Sequence, residues 1–271
     1  MSPGGDDALA ARRRLVRLAE AVAREVGDHL VRSLDGAGPQ VTSKSTATDL
    51  VTDLDRWAEA HIVDRLLAAR PDDGAEGEEG AAVTGTSEVT WCVDPIDGTV
   101  NFVHGLPGFC VSIAARVDGA SVAGVVYSPL HGDLFDAVAG GGARRNGRPI
   151  ACATPAGLDR AVIGTGFGYD AGRRRRQAEV LAAVIGEIAD IRRAGAAALD
   201  LCSVACGRLD GYWEVGLNPW DHAAGALIAA EAGARVRIRE RPGKPSYAVA
   251  AAPAIWDDLD RLLDRAGAAS V

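Results

Sequence analysis

Two neighbouring apolar runs in the first half of the chain are joined and interrupted only by short turn signals. Residues 109–119 read FCVSIAARVDG, and residues 120–140 read ASVAGVVYSPLHGDLFDAVAG. Asp118–Gly119 separates the two runs, and His131-Gly132-Asp133 divides the second one. Parallel strands need crossovers of a dozen or more residues, whereas hairpins close over two to five residues. The pattern therefore predicts strands joined by hairpins in a largely antiparallel sheet.

Helical periodicity surrounds this predicted sheet. Apolar residues recur every three or four positions in the predicted helices, which are 8–34, part of 44–69, 173–189, 196–207, 218–232 and 254–267. Further strands are predicted at 89–96, 161–167, 190–195 and 209–216, and residues 236–252 are predicted to form a strand, a turn and a second strand. The acid- and glycine-rich segment 71–88 is predicted to be a loop. Asn218 is a suitable N-cap, and Pro219 suits a first helical turn. The expected class is α/β or α+β, with halves 1–150 and 151–271 packed as one compact unit.

Composition narrows the classes of function. The 271 residues are 48% hydrophobic and carry a net charge of −8, which disfavours nucleic-acid binding because an acidic surface repels phosphates. No apolar stretch approaches the roughly 20 residues of a membrane span, and the first residues lack a signal-peptide pattern. The five cysteines show no Cys-x-x-Cys spacing and are expected to be buried apolar side chains. A cytoplasmic protein without membrane partners is expected.

The sharpest local motif is Asp94-Pro95-Ile96-Asp97-Gly98-Thr99, at the end of the apolar run 89–96. Proline favours an extended Asp94, and glycine permits a tight turn after Asp97. Two carboxylates, a hydroxyl and the Ile96 carbonyl are thereby placed at one strand end, and such hard oxygen ligands suit Mg²⁺ or Mn²⁺. The alternative is a β-turn whose aspartates bind nearby backbone, which is the commoner role of an isolated Asp-x-x-Asp.

Two other acidic regions could likewise either bind a metal or serve only local structure. Asp221 falls in the first turn of the predicted helix 218–232, where the helix dipole favours an acid without any metal. Upstream, Lys44 precedes Asp49, Asp53 and Asp55, which could equally cap and solvate the following helix. If these acids converge, cations become necessary, because two carboxylates about 4 Å apart repel by roughly 4 kcal/mol at an effective dielectric constant of 20.

Taken together, these segments resemble the inositol monophosphatase family. The resemblance is carried by KSTATDLVTDLD (44–55), GEE (77–79), WCVDPIDGTVNFVHGLP (91–107) and NPWDHAAG (218–225), in this order, and extends over about residues 10–265. It implies the layered αβαβα sandwich of the sugar phosphatases and usually a homodimer. It also implies Mg²⁺-dependent, typically lithium-sensitive hydrolysis of phosphomonoesters by metal-activated water, with two or three ions bound.

The resemblance also implies roles for individual residues. The implied metal ligands are Glu78, Asp94, the Ile96 carbonyl, Asp97 and Asp221. Thr99 and Glu78 would orient the attacking water, Asp55 would hydrogen-bond to Thr99 or support a third metal, and Lys44 would lie at the site edge. The implied substrate contacts are Ile96, Asp97, Gly98, Thr99, Gly195, Ala196, Ala197, Glu214 and Asp221. The backbone N–H groups of Gly98 and Thr99 are suited to phosphate oxygens.

Substrate choice should depend on the second half. Glu214 matches the acid that binds ring hydroxyls in the family, so we expect a small phosphorylated polyol, inositol 1-phosphate. Two positions depart from the family pattern. Ala196 stands where many members have Ser or Thr. His222 follows Asp221 where a smaller apolar residue is expected, and we expect its side chain either to alter the rim of the site or to face solvent. Arg173 to Arg176 are expected to be a solvated helix face.

Other functions remain open at this point. Histidinol phosphate, or another small phosphomonoester, is the alternative substrate within the same chemistry. Fructose 1,6-bisphosphate and 3′-phosphoadenosine 5′-phosphate are less favoured, because no counterpart of their additional anionic or base contacts is evident. A regulatory role without catalysis is the least favoured, because the acids at the implied metal positions are intact.

Overall fold

The computed structural model describes residues 3–34, 41–43, 50–241 and 244–271. The α-helices are α1 Pro3–Leu34, α2 Asp53–Ala69, α3 Thr99–Val103, α4 Ala171–Val184, α5 Ala197–Ala205, α6 Pro219–Glu231 and α7 Trp256–Arg265. The strands are β1 Val41–Ser43, β2 Leu50–Thr52, β3 Gly74–Gly77, β4 Ala82–Val83, β5 Val89–Asp97, β6 Cys110–Val117, β7 Ala120–Ser128, β8 Asp133–Val138, β9 Ala143–Arg145, β10 Arg148–Pro149, β11 Val162–Thr165, β12 Asp190–Arg192, β13 Gly211–Leu217, β14 Arg235–Arg241 and β15 Lys244–Ala251.

The predicted hairpins form the centre of the first sheet. Its strand order is β10-β9-β8-β7-β6-β5-β3-β4, and every neighbouring pair except β3 with β5 is antiparallel. Asp118 and Gly119 both have positive φ, 50° and 79°, as a two-residue hairpin turn of the primed type requires. The prediction of a largely antiparallel first half is confirmed.

The prediction of a loop over residues 71–88 is wrong in part, because β3 and β4 lie within it. Strand β3 adds to the sheet in parallel with β5, with Ala75 opposite Trp91. A Cβ atom on Gly74 would lie 3.0 Å from the Val83 carbonyl oxygen, so the close pairing of β3 and β4 needs a residue without a side chain. The sequence of β3 has no apolar periodicity that would predict a strand. The strand forms because it pairs with β5.

Five layers follow from the packing. Helices α1 and α2 pack on one face of the first sheet, and α5 and α6 pack between its other face and the second sheet. The second sheet has the order β12-β11-β13-β15-β14, parallel in its first three strands and antiparallel in the rest. Helices α4 and α7 contact each other, and their apolar residues Val180, Val184, Leu259 and Leu263 belong to the core beside this sheet. The αβαβα sandwich is confirmed.

The helix predictions hold, with different ends. Asn218 is the N-cap of α6, and Pro219 begins it, as the sequence indicates. Helix α4 begins at Ala171, before the arginine run, and ends at Val184, where a single 3₁₀ turn continues the chain. None of the helices in the described part of the chain combines the length and the hydropathy needed to cross a bilayer.

Candidate active site

The end of strand β5 opens into a cavity of about 430 Å³. The pairing of β5 with β6 shifts register between Asp94 and Asp97, so the strand leaves its regular ladder at the motif. Gly98 follows with φ of 91°, and a Cβ atom there would lie 2.9 Å from the Gly108 carbonyl oxygen. Only glycine fits this turn, which leads directly into the short helix α3.

Most of the residues predicted for the site line this one cavity. They are Glu78, Asp94, Ile96, Asp97, Gly98, Thr99, Gly195, Ala197, Glu214 and Asp221. Asp55 is buried behind the cavity wall, and Ala196 is buried next to Gly98 without lining the cavity. Lys44 and Asp49 lie outside the described residues. We call Glu78, Asp94, Asp97 and Asp221 the acid cluster.

Asp97 connects the two halves of the chain at this point. Its carboxylate accepts hydrogen bonds from the backbone N–H groups of Ala197, at 3.3 Å, and Ala198, at 2.7 Å. These N–H groups belong to the first turn of α5, where no helical carbonyl is available to accept them. The acid at the end of β5 thereby satisfies the start of a helix about 100 residues further along the chain.

Asp94 and Asp221 make local backbone bonds as well as lining the cavity. Asp94 Oδ1 accepts from the Ile96 N–H at 3.1 Å, and Asp221 Oδ2 accepts from the Asn218 N–H at 2.7 Å. Both bonds match the plainer interpretations of these acids as turn and helix-start residues. Each bond orients a carboxyl group beside the cavity, so the local role and a ligand role are compatible.

The pKa values of the three aspartates in the acid cluster are raised. Burial, and then the nearby Glu78 carboxylate, raise the pKa of Asp94 and of Asp221 well above the usual range of an aspartate. Burial raises the pKa of Asp97 to about 7, although the Ala198 N–H bond opposes the shift. The cluster is thus costly to ionise without a cation.

The donors fit a hard divalent cation by their chemistry, although they do not form a closed coordination shell. Among residues 3–34, 41–43, 50–241 and 244–271, no three His, Cys, Asp or Glu side chains are arranged to hold a metal ion as they stand. Carboxylate and carbonyl oxygens are nevertheless the donors that Mg²⁺ takes. The mutual repulsion within the acid cluster is the cost that a bound cation would remove.

A chain of buried hydrogen bonds links Thr99, which lines the cavity, to Asp55 and Thr52 in the protein interior. Thr99 Oγ1 lies 3.2 Å from Asp55 Oδ1 and 3.1 Å from the Ile96 carbonyl oxygen, and it can donate to either. Asp55 also accepts from the Thr52 backbone N–H and hydroxyl, at 2.7 and 2.5 Å. Burial raises the pKa of Asp55 to about 6, and the Thr52 hydrogen bonds oppose the shift. The hydrogen bond between Asp55 and Thr99 that the family resemblance implied is present.

Glu59 is a site-supporting residue that sequence reasoning missed. It is 4% exposed, and its two carboxylate oxygens accept from the backbone N–H groups of Glu79, at 2.7 Å, and Ala81, at 2.8 Å. A Cβ atom on Gly77 would lie 2.2 Å from Glu59 Oε2, so Gly77 lets this carboxylate approach the backbone. The turn that carries Glu78 is therefore held by α2. The sequence showed only an acid within the predicted helix, and its burial is visible only in the structure.

The second half of the chain contributes Gly195, Ala197 and Glu214 to the lining of the cavity. Glu214 Oε2 accepts from the Tyr212 hydroxyl at 2.6 Å. Burial raises the pKa of Glu214, while the Tyr212 bond and the charge of Arg193 lower it. Asp200, on α5, is 2% exposed, and burial followed by Glu214 raises its pKa. Asp200 was also missed, although an acid on an otherwise apolar helix was a usable signal.

Two expectations about side-chain orientation need correction. His222 neither lines the rim of the cavity nor faces solvent: it is 8% exposed, and burial lowers its pKa to about 4. The arginine run is not uniformly solvated either. Arg173 lines the cavity, and Arg174 donates to the carbonyls of Gly168, at 3.2 Å, and Tyr169, at 2.7 Å. Helix packing decides both orientations, because neighbouring helical positions point in different directions.

The comparisons with known proteins agree with this architecture. The model of the inositol monophosphatase family matches residues 10–259. An inositol-1-monophosphatase named SuhB from Mycobacterium tuberculosis is 49% identical over 245 residues, which are 86% of this chain and 84% of that protein. A protein named Nus factor SuhB from Vibrio cholerae is 42% identical over 227 residues, 82% of this chain and 84% of that protein.

A solved structure extends the agreement to the fold. The extragenic suppressor protein suhB from Bartonella henselae superposes with a TM-score of 0.86 at 39% identity, over 92% of this chain and 98% of that chain. The family model covers nearly the whole sequence, and it includes both the strand-end motif and the start of α6. This chain belongs to the inositol monophosphatase family.

Proposed function

We propose that this protein hydrolyses a small phosphomonoester, inositol 1-phosphate, in a Mg²⁺-dependent reaction. The observation that carries the proposal is the convergence of the acid cluster, Gly98, Thr99 and Glu214 on one cavity. A phosphate group needs cationic neutralisation, for which the acid cluster can hold a metal, and a polyol needs hydrogen-bond acceptors such as Glu214. The membership of the family supports the same reaction class.

The metal would be held by Glu78, Asp94, the Ile96 carbonyl, Asp97 and Asp221, with two or three Mg²⁺ ions, or Mn²⁺. Bound there, the cations supply charge neutralisation for the phosphoryl group and lower the pKa of a nearby water. Burial and the nearby Glu78 carboxylate raise the pKa of Asp94, so Asp94 must lose its proton in order to act as a ligand. Affinity for metal is therefore expected to rise with pH, because ligand carboxyls bind as carboxylates.

The side chains at the cavity favour direct attack by water. None of the described residues that line the cavity is Ser, Cys or His. Cys110 and Cys202 are fully buried nearby, and burial raises the pKa of both thiols, which disfavours a thiolate nucleophile. Water is thus the nucleophile, and its oxygen bonds to phosphorus as the ester P–O bond breaks and the leaving alcohol takes up a proton.

Thr99 is the residue best placed to orient that water. Its hydroxyl lies at the cavity with buried acceptors, Asp55 and the Ile96 carbonyl, on its inner side. When the hydroxyl proton is directed inward to one of these acceptors, the oxygen lone pairs can accept a hydrogen bond from water at the cavity side. Glu78, which lines the same cavity, can accept the second water proton. Asp55 acts through Thr99 as a positioning residue.

Glu214 supports a polyol as the alcohol part of the substrate. One of its oxygens accepts from Tyr212, and the carboxyl group lies at the cavity wall, where it can accept from substrate hydroxyls. Gly195 and Ala197 line the same wall without bulky side chains. Ala196 offers no hydroxyl and lies away from the cavity surface. Histidinol phosphate remains the alternative, because a carboxylate also binds an amine.

Phosphate release, measured with and without Mg²⁺, tests the proposal. The substrates are inositol 1-phosphate, histidinol phosphate and 3′-phosphoadenosine 5′-phosphate, and the variants are Asp94→Asn and the control Asp118→Asn, an exposed acid in the turn between β6 and β7. We expect Mg²⁺-dependent turnover, highest for inositol 1-phosphate, that Asp94→Asn abolishes and Asp118→Asn retains. Full activity of Asp94→Asn would refute the site, and a preference for histidinol phosphate would refute the assignment of Glu214.

A role without catalysis is the competing function. The name Nus factor SuhB, carried by the relative from Vibrio cholerae, motivates it. The intact acid cluster and the Asp55–Thr99 pair favour catalysis, because a binding role alone needs neither. Absence of turnover with every substrate in Mg²⁺ would favour the competing role.

We further propose that the protein is cytoplasmic and forms a homodimer. All five cysteines are free thiols, which supports a reducing, cytoplasmic location. We also propose a homodimer, for which the family resemblance is the support. Sedimentation at micromolar concentration tests it, and a monomer would contradict it.

A further inference from the structure

Ser112, in strand β6, has a buried hydroxyl group that the proposed chemistry does not use. Its side chain is 1% exposed, and its Oγ has no hydrogen-bond partner among the residues that the structure describes. A buried hydroxyl without a partner has lost its hydrogen bonds to water and has gained none from the protein. Such groups are rare in folded proteins, so each one calls for a physical explanation.

Other buried hydroxyls on the strands of this protein do have partners. Ser128 Oγ, which is also 1% exposed, donates to the Phe109 carbonyl oxygen at 3.2 Å. Thr165 Oγ1 donates to the Trp213 carbonyl oxygen at 2.9 Å. Ser112 has the same kind of side chain in the same kind of environment and lacks such a bond. Burial in a sheet therefore does not account for its hydroxyl.

The residue opposite Ser112 in the sheet is Asp94, a member of the acid cluster. The two are directly paired between β6 and β5, and theirs is the last regular pair before the register shifts toward Asp97. Directly opposite residues project from the same face of a sheet, with their Cβ atoms about 4.5–5.5 Å apart. At this separation a serine hydroxyl and an aspartate carboxyl group come within hydrogen-bond distance when their side chains rotate about χ1.

The face that Ser112 and Asp94 share is the one covered by α5 and α6. Alternate residues of a strand project to the same face, and Cys110 and Ala114, two positions to either side of Ser112, belong to the apolar core formed with these helices. Asp221, another member of the acid cluster, lies in the first turn of α6. The hydroxyl of Ser112 is therefore on the side of the sheet from which the proposed metal ligands are supplied.

Asp94 has the capacity to accept a further hydrogen bond. Its Oδ1 accepts from the Ile96 backbone N–H at 3.1 Å, and an ionised carboxylate has about four acceptor positions. It can therefore accept from Ile96 and from a hydroxyl while it also binds a cation. Hydrogen bonds of this kind orient the carboxylates that bind metals and contribute to the affinity of the site.

We propose that Ser112 is a positioning residue of the metal site, whose hydroxyl donates a hydrogen bond to Asp94 when Asp94 serves as a ligand. The inference rests on the proposed Mg²⁺-dependent function and deepens it by naming a residue that supports one ligand from the protein interior. Ser112 does not line the cavity, so it acts through Asp94 and does not contact the substrate. Its effect is on the affinity for metal.

Three variants of the full-length protein test the proposal. Ser112→Ala removes the hydroxyl, Ser112→Thr keeps it, and the matched control Ser128→Ala removes an equally buried hydroxyl that has a partner. The first measured quantity is Tm in the presence of a chelator. The second is the Kd for Mg²⁺, from titration calorimetry and from the rise of Tm with Mg²⁺ at one fixed pH. Phosphate release from inositol 1-phosphate gives the Mg²⁺ concentration for half-maximal activity.

The two alanine variants should differ in both quantities. Ser112→Ala should leave the Tm in chelator unchanged or raise it by about 2–4 °C, because an unpartnered buried hydroxyl is removed. It should weaken Mg²⁺ binding about tenfold, as expected for a lost hydrogen bond to a charged group. Ser128→Ala should lower the Tm, because a hydrogen bond is lost, and should leave the Kd for Mg²⁺ unchanged. Ser112→Thr should bind Mg²⁺ nearly as the unsubstituted protein does.

The results separate this inference from the proposed function. A Kd for Mg²⁺ that Ser112→Ala leaves unchanged, or that Ser128→Ala raises equally, overturns the role of Ser112 while the phosphatase function stands. If the unsubstituted protein shows neither turnover nor a Mg²⁺-induced rise in Tm, the proposed function is overturned and the role of Ser112 with it.

Discussion

The carboxylate of Asp97 accepts a hydrogen bond from the backbone N–H of Ala198 at 2.7 Å, although 101 residues separate the two. Asp97 ends strand β5 of the first sheet, and Ala198 lies in the first turn of α5. The bond places a proposed metal ligand and the start of a helix from the second half at the same point. The proposed metal site and a contact between the two halves therefore share one carboxyl group.

Asp97→Asn separates these two roles. The amide keeps one oxygen that can accept from Ala198, but it loses the charge that a cation needs. We expect phosphatase activity to fall about 100-fold or more and the rise in Tm on adding Mg²⁺ to shrink. The Tm of the metal-free protein at pH 8 should be equal or higher, because the variant removes a buried acid whose pKa is raised to about 7.

Thermal unfolding and phosphate release check this prediction, with Asp118→Asn as the control in an exposed turn. An undiminished Mg²⁺-induced rise in Tm for Asp97→Asn would remove Asp97 from the set of ligands.

Thr99→Val replaces the hydroxyl that lies against Asp55 by a methyl group of similar size. The change removes the proposed contact to the attacking water and leaves the buried Asp55 oxygen without this donor. We expect kcat to fall about 100-fold, within the range for loss of an oriented catalytic hydrogen bond, with a smaller change in KM. Thr99→Ser keeps the hydroxyl and should recover most of kcat. Equal kcat values for the Val and Ser variants would show that the hydroxyl takes no part.

Glu59→Gln tests the support of the turn that carries Glu78. Glutamine keeps one acceptor oxygen but presents an NH₂ group to one of the two backbone N–H donors, Glu79 or Ala81. Leaving that donor unsatisfied should cost about 1–3 kcal/mol of unfolding free energy. Proteolysis near residues 77–81 should accelerate, and the Mg²⁺ concentration for half-maximal activity should rise.

Asp64→Asn on the exposed face of the same helix is the matched control. If both variants show the same protease sensitivity and the same Mg²⁺ requirement, α2 does not position this turn.

The stability of the metal-free protein should fall as pH rises. Burial raises the pKa of Asp55 to about 6 and that of Asp97 to about 7, whereas an unfolded aspartate titrates near about 3.9. Between these values the folded state holds more protons than the unfolded state, so its stability is lost with increasing pH. His222, whose pKa burial lowers to about 4, has the opposite effect below about pH 6.5.

Unfolding in the presence of a chelator at about pH 6.5 and pH 8 therefore isolates the acids. We expect a lower Tm at the higher pH. Mg²⁺ should raise Tm more at pH 8, where the ligand carboxyls are ionised. Identical Tm values at the two pH values without metal would contradict the raised pKa values.

The sequence alone determined the features that depend on neighbours in the chain. The Asp118–Gly119 turn, the tight turn at Gly98 and the N-cap at Asn218 followed by Pro219 each depend on the conformations open to one or two residues. Such preferences are local properties of the backbone, and the structure contains all three. The strand-end motif likewise placed Asp94 and Asp97 together.

Tertiary structure decided which side chains meet. Strand β3 has no apolar period and exists because β5 pairs with it, and Glu59 contacts Glu79 only because α2 packs beside that turn. The burial of His222 and the reach of Arg173 into the cavity depend on which face of a helix the neighbouring layers cover. The direction of a side chain relative to a distant segment is a property of packing, and local periodicity does not encode it.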